Sequence, residues 1–310
     1  MKILITDGLE SEAISTLRKL HEVDMQELDS KGLLGAIPEY QALIVRSRTT
    51  VSKPVLTRAT KLKVVGRAGV GVDNIDVAEA TARKIVVVNA PTASTISVAE
   101  LALGHMISLL RHLTEADRSV KDGKWEKKKF EGRELFGKTL GLVGSGRIGA
   151  EVAKRAKAFG MRAIAYDPYL SPPTAKAFGI ELVDKDVVFR EADVVSVHAA
   201  LTPETKGMIA AAEFAQMKPG AILVNCARAE IVEEAALVDA LRSGRLAGAA
   251  ADVFQTEPPV GSPLLRAPNV VFTPHVAFNS EEAFERLVAG TIENIRAFVR
   301  GEPIHLVSEK

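Results

Sequence analysis

Three residues far apart along the chain share one local setting. Arg228 follows the apolar run Ala221–Asn225 in NCARAEIV, Glu257 follows Ala247–Ala251 and the turn ADVFQTEPP, and His275 follows Val270–Thr273 in FTPHVA. A guanidinium can grip a carboxylate through two parallel hydrogen bonds, a task for which lysine is poorly shaped. An imidazole changes charge near neutral pH and so takes or gives a proton, and a carboxylate beside it can fix its orientation. Taken singly, each is ordinary: a histidine after a strand is usually a satisfied turn residue, and a lone arginine or glutamate is usually solvated surface. Together they form a set able to anchor an acid and move a proton beside its carboxylate.

Such a set still needs a redox partner, and an upstream segment offers a place for one. TLGLVGSGRIGAEVAKRAKAFG carries Gly144-x-Gly146-x-x-Gly149 between an apolar strand, Leu140–Val143, and a helix, Arg147–Phe159. Alone, that glycine pattern is weak evidence. In a strand–turn–helix it acquires a physical reason: Gly144 makes the tight turn, Gly146 lets backbone approach a pyrophosphate, and Gly149 lets helix and strand pack closely. The helix N-terminus, beginning with Arg147 and Ile148, then faces the diphosphate with free N–H groups. The next strand, Arg162–Tyr166, ends in Asp167, placed to accept from ribose hydroxyls and to repel a 2′-phosphate, with Pro168 and Tyr169 following and no arginine. NAD is expected, in preference to NADP. Further contacts to it are expected from His198, Thr202, Pro203, Cys226, Ala227, Arg228, Asp252 and His275. With NAD in place, the three residues suit hydride transfer at the 2-carbon of a small hydroxy acid.

The elements that must position these groups alternate short β-branched runs with helices, which predicts an α/β protein with parallel sheets. A first set of strands is expected at Ile3–Thr6, Val23–Met25, Ala42–Val45, Val64–Gly66 and Val86–Asn89, with helices such as Ser11–Leu20 and Asp76–Arg83 between them. One long helix is expected from Ser97 to about Lys121, then a polar loop or arm over Gly123–Lys138. Seven more strands follow, at Thr139–Val143, Arg162–Tyr166, Glu181–Val183, Val194–Val197, Ala221–Asn225, Ala247–Ala251 and Val270–Thr273, enough for a complete dinucleotide-binding domain. Phe284, Leu287, Val288, Thr291, Ile292, Ile295, Phe298 and Val299 recur at helical spacing and need a surface to cover. The expected architecture is two Rossmann- or flavodoxin-like doubly wound domains. The substrate domain is discontinuous (1–96 plus 282–310), and the NAD-binding domain spans 97–281.

These motifs resemble those of the D-isomer-specific 2-hydroxyacid dehydrogenases, over essentially the whole chain. The resemblance implies that Arg228 binds the substrate carboxylate, His275 takes the hydroxyl proton, and Glu257 orients the imidazole. It also implies that Asp252 lies near the nicotinamide amide. Within the family, VRSRTTV (Val45–Val51), GRAGVGVDNID (Gly66–Asp76) and GKWEKKKFEGRELFGKTLG (Gly123–Gly141) are most similar to the phosphoglycerate-oxidising branch. That branch implies a phosphorylated hydroxy acid, or the matching oxo acid, on the route to L-serine. The phosphate ligands would be Arg46, Ser47 and Arg67 with the backbone of Gly69, Val70 and Gly71, supported by Asn74. It also nominates Lys127 of the arm as reaching a neighbouring subunit's substrate, against a plain solvated run Lys127–Lys129. Two departures stand out: Ala229 replaces the family's usual Gly, and VAFNS after His275 brings Phe278 where small residues are usual. Glyoxylate/hydroxypyruvate reductase and D-lactate dehydrogenase are the enzyme alternatives, and an NAD-sensing corepressor is the non-enzymatic one.

Composition narrows the partners. Forty Lys and Arg against thirty-nine Asp and Glu leave a net charge of +1, so no global field draws nucleic acid or an anionic membrane. One cysteine, Cys226, excludes an intrachain disulfide framework and any cysteine-rich metal site, and no metal is expected. No signal-peptide run is read at the start and no apolar stretch is long enough to span a bilayer, so a cytoplasmic place is expected. A homodimer through the long helix and arm, or a tetramer, is the expected assembly. The sequence stops at Lys310, and serine feedback through a C-terminal regulatory domain is not expected. The other histidines, His21, His105, His112 and His305, have no chemical company and are assigned structural places.

Overall fold

The computed structural model describes residues 1–9 and 12–307, with no description of the Ala13 side chain. Ser11, the first residue of the expected first helix, lies outside those residues. The chain divides into two units, Met1–Ser94 with Asn279 onward, and Thr95–Phe278.

The first unit alternates strands β1 (Lys2–Ile5), β2 (Glu22–Met25), β3 (Ala42–Val45), β4 (Val64–Arg67) and β5 (Val86–Asn89) with helices α1 (Glu12–Arg18), α2 (Ser30–Ala36), α3 (Lys53–Arg58) and α4 (Val77–Ala82). All neighbouring strands are parallel in the order β2-β1-β3-β4-β5, the flavodoxin-like doubly wound arrangement. Both sheet faces are covered, so the central strands are continuous apolar runs rather than alternating ones. Successive side chains still point oppositely. Ile3, Ile5, Ile44, Val64 and Val88 form one core, while Leu4, Leu43, Val45, Val65 and Val87 join α2, α3 and α4 in the other.

The first core is closed by the chain's last helix, here α12 (Glu281–Val299), capped at its start by Ser280 Oγ accepting from the Ala283 N–H. Leu287, Val288, Ile292 and Ile295 are buried in that core, each contributing about 1.5–3 kcal/mol. Gly66 explains why α12 lies so close to β4: a Cβ there would sit 3.1 Å from Thr291 Cγ2 and 3.2 Å from Ile295 Cδ1. Gly66→Val is therefore expected to overpack this seam and destabilise the unit by about 1–3 kcal/mol, read as a lowered midpoint in thermal or urea unfolding.

The second unit holds α5 (Thr95–Leu110), α6 (Leu113–Lys121), β6 (Thr139–Val143), α7 (Arg147–Ala158), β7 (Arg162–Tyr166), α8 (Pro172–Phe178), β8 (Glu181–Leu182) and α9 (Lys185–Glu191). It continues through β9 (Val194–Val197), α10 (Ala211–Gln216), β10 (Ile222–Asn225), α11 (Glu234–Arg242), β11 (Gly248–Ala251) and β12 (Val270–Phe272). The seven strands run parallel in the order β12-β11-β10-β9-β6-β7-β8, which is the Rossmann winding with one strand added. Val98, Ala102 and Met106 of α5 and Val152, Ala153 and Ala156 of α7 cover one face. Phe189, Phe214, Leu237, Val238 and Leu241 cover the other. The expectation of doubly wound α/β architecture holds for both sheets.

One helix departs from expectation. The single helix expected over Ser97–Lys121 is two, broken at His112, whose φ of 53° is left-handed. Past the break the chain turns so that the Arg133 N–H donates to Leu110 O at 2.8 Å, and Gly132 passes where a Cβ would meet that oxygen at 2.5 Å. The arm between contains a short 3-10 turn, Lys127–Phe130, and exposes Trp125 and Phe136. Among the described residues no helix is long and apolar enough to cross a membrane, and no group of three or more His, Cys, Asp or Glu is placed to hold a metal.

Candidate active site

In each sheet the winding direction reverses at one point, and loops beyond the carboxyl ends of the strands splay apart there to leave a crevice. In the second unit the reversal lies between β6 and β9, and the glycine loop follows β6. Gly144 has φ +84°, and a Cβ on it would lie 2.6 Å from Ala199 N; a Cβ on Gly149 would lie 2.7 Å from Gly144 O. These two glycines are demanded by the protein itself. Gly146 is different: a Cβ there would meet nothing within 4 Å, so the open side of the loop is left clear for a ligand. Gly146 is also the N-cap of α7 and makes no side-chain cap bond, leaving the first-turn N–H groups of Arg147, Ile148 and Gly149 directed at that space. Glycine loop and uncapped helix thus fit a dinucleotide diphosphate.

Asp167 closes the loop from β7. Its Oδ2 accepts from Ser145 N at 2.7 Å, and its Oδ1 accepts from the N–H groups of Tyr169 and Leu170 at 2.9 and 3.1 Å. Across the reversal point, His198 follows β9, with Nε2 2.8 Å from Ser196 Oγ. Its Nδ1 is buried without a partner, an unmet hydrogen-bonding atom beside the loop. Burial of the ring pushes its pKa down to about 4, so His198 is neutral at physiological pH. Thr202 and Thr205 bond each other in the loop carrying Pro203, Thr202 N donating to Thr205 Oγ1 at 2.8 Å. Cys226 is buried, and desolvation pushes its thiol pKa far up, which suits packing and not nucleophilic work.

The three candidate chemical groups all belong to the second unit, after β10, β11 and β12. Arg228 sits on a loop clasped by Asn225, whose Oδ1 accepts from Ala227 N and whose Nδ2 donates to Arg228 O, both at 3.0 Å. Its Nη1 donates to Ala227 O at 2.8 Å. His275 Nδ1 lies 2.9 Å from Glu257 Oε2, while Glu257 Oε1 accepts from Phe254 N at 3.2 Å. One carboxylate oxygen is thereby tied to backbone and the other to the imidazole, leaving His275 Nε2 as the ring nitrogen turned to other work. Both side chains are about two-fifths exposed, so a small molecule can reach them. Asp252, by contrast, is fully buried beneath the loop carrying His275 and accepts hydrogen bonds from Thr273, Val276 and Ala277. The geometry joins His275 with Glu257 and places Asp252 as the support of the His275 loop.

The first unit's candidate residues gather at its own reversal point, after β1, β3 and β4. Asp7 Oδ2 accepts from Arg46 N at 2.5 Å, and Thr49 Oγ1 donates to Asp7 Oδ1 at 2.7 Å. Asn74 fastens the next loop: its Nδ2 donates to Arg46 O and Thr49 O at 2.7 and 2.6 Å, and its Oδ1 accepts from Arg67 Nε at 3.2 Å. Arg67 folds back over Gly69, where a Cβ would stand 2.7 Å from the guanidinium carbon, and Nη1 donates to Ala68 O. Arg46 lies over the Phe284 ring at 5.3 Å. Ser47 and Val70 are exposed and Gly71 is half-buried, so two cations and a turn of backbone face one edge. Asp7, Thr49 and Asn225 were not singled out by sequence; no local pattern marks a residue whose partners lie in another loop.

Comparison with known proteins identifies the family. Residues 103–277 match the family model for the D-isomer specific 2-hydroxyacid dehydrogenase, NAD binding domain. The chain belongs to that family. It is similar to the D-3-phosphoglycerate dehydrogenase of Methanocaldococcus jannaschii, 49% identical over 306 residues, covering 97% of this chain and 58% of that protein. The chain thus spans less than two thirds of that curated relative. Among solved structures it is similar to the TT0316 protein of Thermus thermophilus, with TM-score 0.91, 37% identity and 99% and 100% of the two chains covered. A glyoxylate reductase from Paecilomyes thermophila gives TM-score 0.92 at 29% identity, covering 99% and 98%.

Two departures from the family's usual pattern now have a structural reading. Ala229 opens a 3-10 turn, Ala229–Ile231, and is not among the residues with positive φ, so replacing glycine there carries no conformational cost. Phe278 stands edge-on to His275, ring centroids 6.1 Å apart at 80°, and packs on the second unit's core. In the arm, the Lys127 ammonium lies 5.7 Å from the Trp125 ring centroid.

Proposed function

We propose that this chain catalyses NAD-dependent oxidation of D-3-phosphoglycerate to 3-phosphohydroxypyruvate, the step that would feed L-serine synthesis. The observation that carries the reading is the His275–Glu257 pair at 2.9 Å, set at the strand ends of a dinucleotide-binding sheet, with Arg228 after the adjacent strand β10. NAD, when bound, accepts the hydride from the substrate's 2-carbon. The protein's part is binding and proton transfer. Neutral His275 keeps its proton on Nδ1, donated to Glu257, so the Nε2 lone pair takes the hydroxyl proton as the C2–H bond breaks. The imidazolium that forms is stabilised by the Glu257 carboxylate, which itself stays ionised. Arg228 holds the substrate carboxylate and polarises the 2-oxygen. Asp167, followed in sequence by Pro168 and Tyr169 rather than an arginine, supports NAD over NADP.

Arg46 and Arg67, with Ser47 and the backbone of Gly69, Val70 and Gly71, are the proposed phosphate ligands, braced by Asn74. Arg67→Ala is expected to raise KM for 3-phosphohydroxypyruvate by about 10- to 100-fold, the worth of one charge-assisted hydrogen bond, and to leave glyoxylate kinetics unchanged. Steady-state assays on both substrates check this; equal losses on both would move Arg67 out of the phosphate site. A homodimer is the proposed assembly. The second reading, an unphosphorylated oxo acid such as glyoxylate or pyruvate, is favoured by one observation, the bulk of Phe278 beside His275.

A further inference from the structure

His105 lies on α5, is 3% exposed, and is not one of the groups of the proposed chemistry. What it touches is the support of that chemistry. Asp252 Oδ1 accepts from Thr273 Oγ1–H at 2.5 Å and from Val276 N–H at 2.9 Å, and Oδ2 accepts from Ala277 N–H at 2.9 Å. Thr273 has one hydroxyl proton and gives it to Asp252. Its oxygen is therefore an acceptor toward His105 Nε2, 3.1 Å away, and His105 carries its proton on Nε2. Burial lowers the His105 pKa and Asp252 opposes this more weakly, which keeps the ring neutral at physiological pH, with the single N–H that this network requires.

We propose that His105 is a positioning residue for His275, acting through Thr273 and Asp252. The inference rests on reading His275 as the base. His275 has φ +52°, a conformation that costs a side-chain-bearing residue about 1–2 kcal/mol and persists only when neighbours hold it. Here the neighbours are Thr273, Val276 and Ala277, all bonded to one carboxylate. A threonine hydroxyl can rotate among alternative partners, and the donor from His105 fixes it in the rotamer that serves Asp252. Without that donor the half-buried Thr273 oxygen loses the N–H it accepts from, its rotamer is no longer fixed, and one of the loop's three ties to Asp252 is loosened. A displacement of the order of 1 Å in a base lowers turnover by up to about 10²-fold.

The test compares His105→Leu, which removes the donor, with His105→Gln, whose side-chain amide can donate near the place of Nε2. Two readouts are taken: amide hydrogen exchange at Val276 and Ala277 in the protein without substrate, and kcat and KM for 3-phosphohydroxypyruvate with NADH. His105→Leu is expected to speed exchange at both amides about tenfold or more and to lower kcat about 10- to 100-fold with little change in KM. His105→Gln is expected to recover most of both. Wild-type exchange and kcat in His105→Leu, or equal losses in the two variants, would overturn the proposal. Should His105→Leu not fold, His105→Asn takes its place, since its shorter amide cannot reach Thr273 as glutamine does. If the unaltered protein turns over no 2-oxo acid, the proposed function fails while the exchange measurement still decides the role of His105.

Discussion

Replacing His275 with alanine lowers kcat for NADH-dependent reduction of 3-phosphohydroxypyruvate by about 10²- to 10⁴-fold, the contribution typical of a positioned general acid–base group. The expectation follows from how completely the ring is held. Nδ1 is committed to Glu257 at 2.9 Å, Phe278 stands against one side, and the backbone at Val276 and Ala277 is bonded to Asp252. Only Nε2 remains to move a proton. NADH affinity should fall far less than kcat, because the ring is one expected cofactor contact among many and the glycine loop and Asp167 lie after other strands. Glu257→Gln should cost less, since an amide oxygen can still accept from Nδ1–H while losing the charge that stabilises the imidazolium. Rapid single-turnover measurement separates these outcomes from slow product release. A His275→Ala protein with wild-type kcat would remove the histidine from the reaction.

Arg228→Lys is expected to lower kcat/KM for the oxo acid by about 10²- to 10³-fold, although it keeps the charge. A lysine ammonium cannot reproduce two parallel N–H donors. Losing one charge-assisted hydrogen bond and misaligning the other costs about 3–4 kcal/mol. Each 1.4 kcal/mol is about a factor of ten. Asn225 makes the test clean, because it ties the loop through backbone atoms of Ala227 and Arg228 and leaves the loop in place when the side chain changes. Titration of NADH by fluorescence separates the two roles open to this residue. Unchanged NADH affinity with a lost kcat/KM places Arg228 on the substrate carboxylate. Loss of NADH affinity alone would place it on the cofactor.

Much of the fold, and the types of residue that gather at the candidate site, are legible in the sequence. Buried parallel strands are short unbroken apolar runs, so both sheets could be read from sequence, and a carboxyl-terminal strand end is a place where chemistry gathers. Arg228, Glu257 and His275 were visible for that reason. The His112 break was not, because no glycine or proline marks it and the left-handed turn falls on an ordinary histidine. The support beneath the site was also hidden. Asp252 meets its partners 21 to 25 residues away, and His105 meets Thr273 across 168 residues, a distance at which periodicity carries no information. Nor could the sequence alone show that Ala229 sits where no positive φ is needed, or that Asn74 bridges the β3 and β4 loops. Local patterns reveal which groups could react; only the folded contacts reveal what holds them still.

The most direct test follows NADH at 340 nm with the purified chain and compares 3-phosphohydroxypyruvate with hydroxypyruvate, glyoxylate and pyruvate. A kcat/KM for the phosphorylated acid at least about tenfold above the other three, corresponding to about 1.4 kcal/mol of added binding, is the predicted result. Preference for an unphosphorylated acid would contradict the phosphate site at Arg46 and Arg67 while leaving the His275–Glu257 pair and Arg228 in their roles. No oxidation of NADH with any of the four would contradict the proposed enzyme itself.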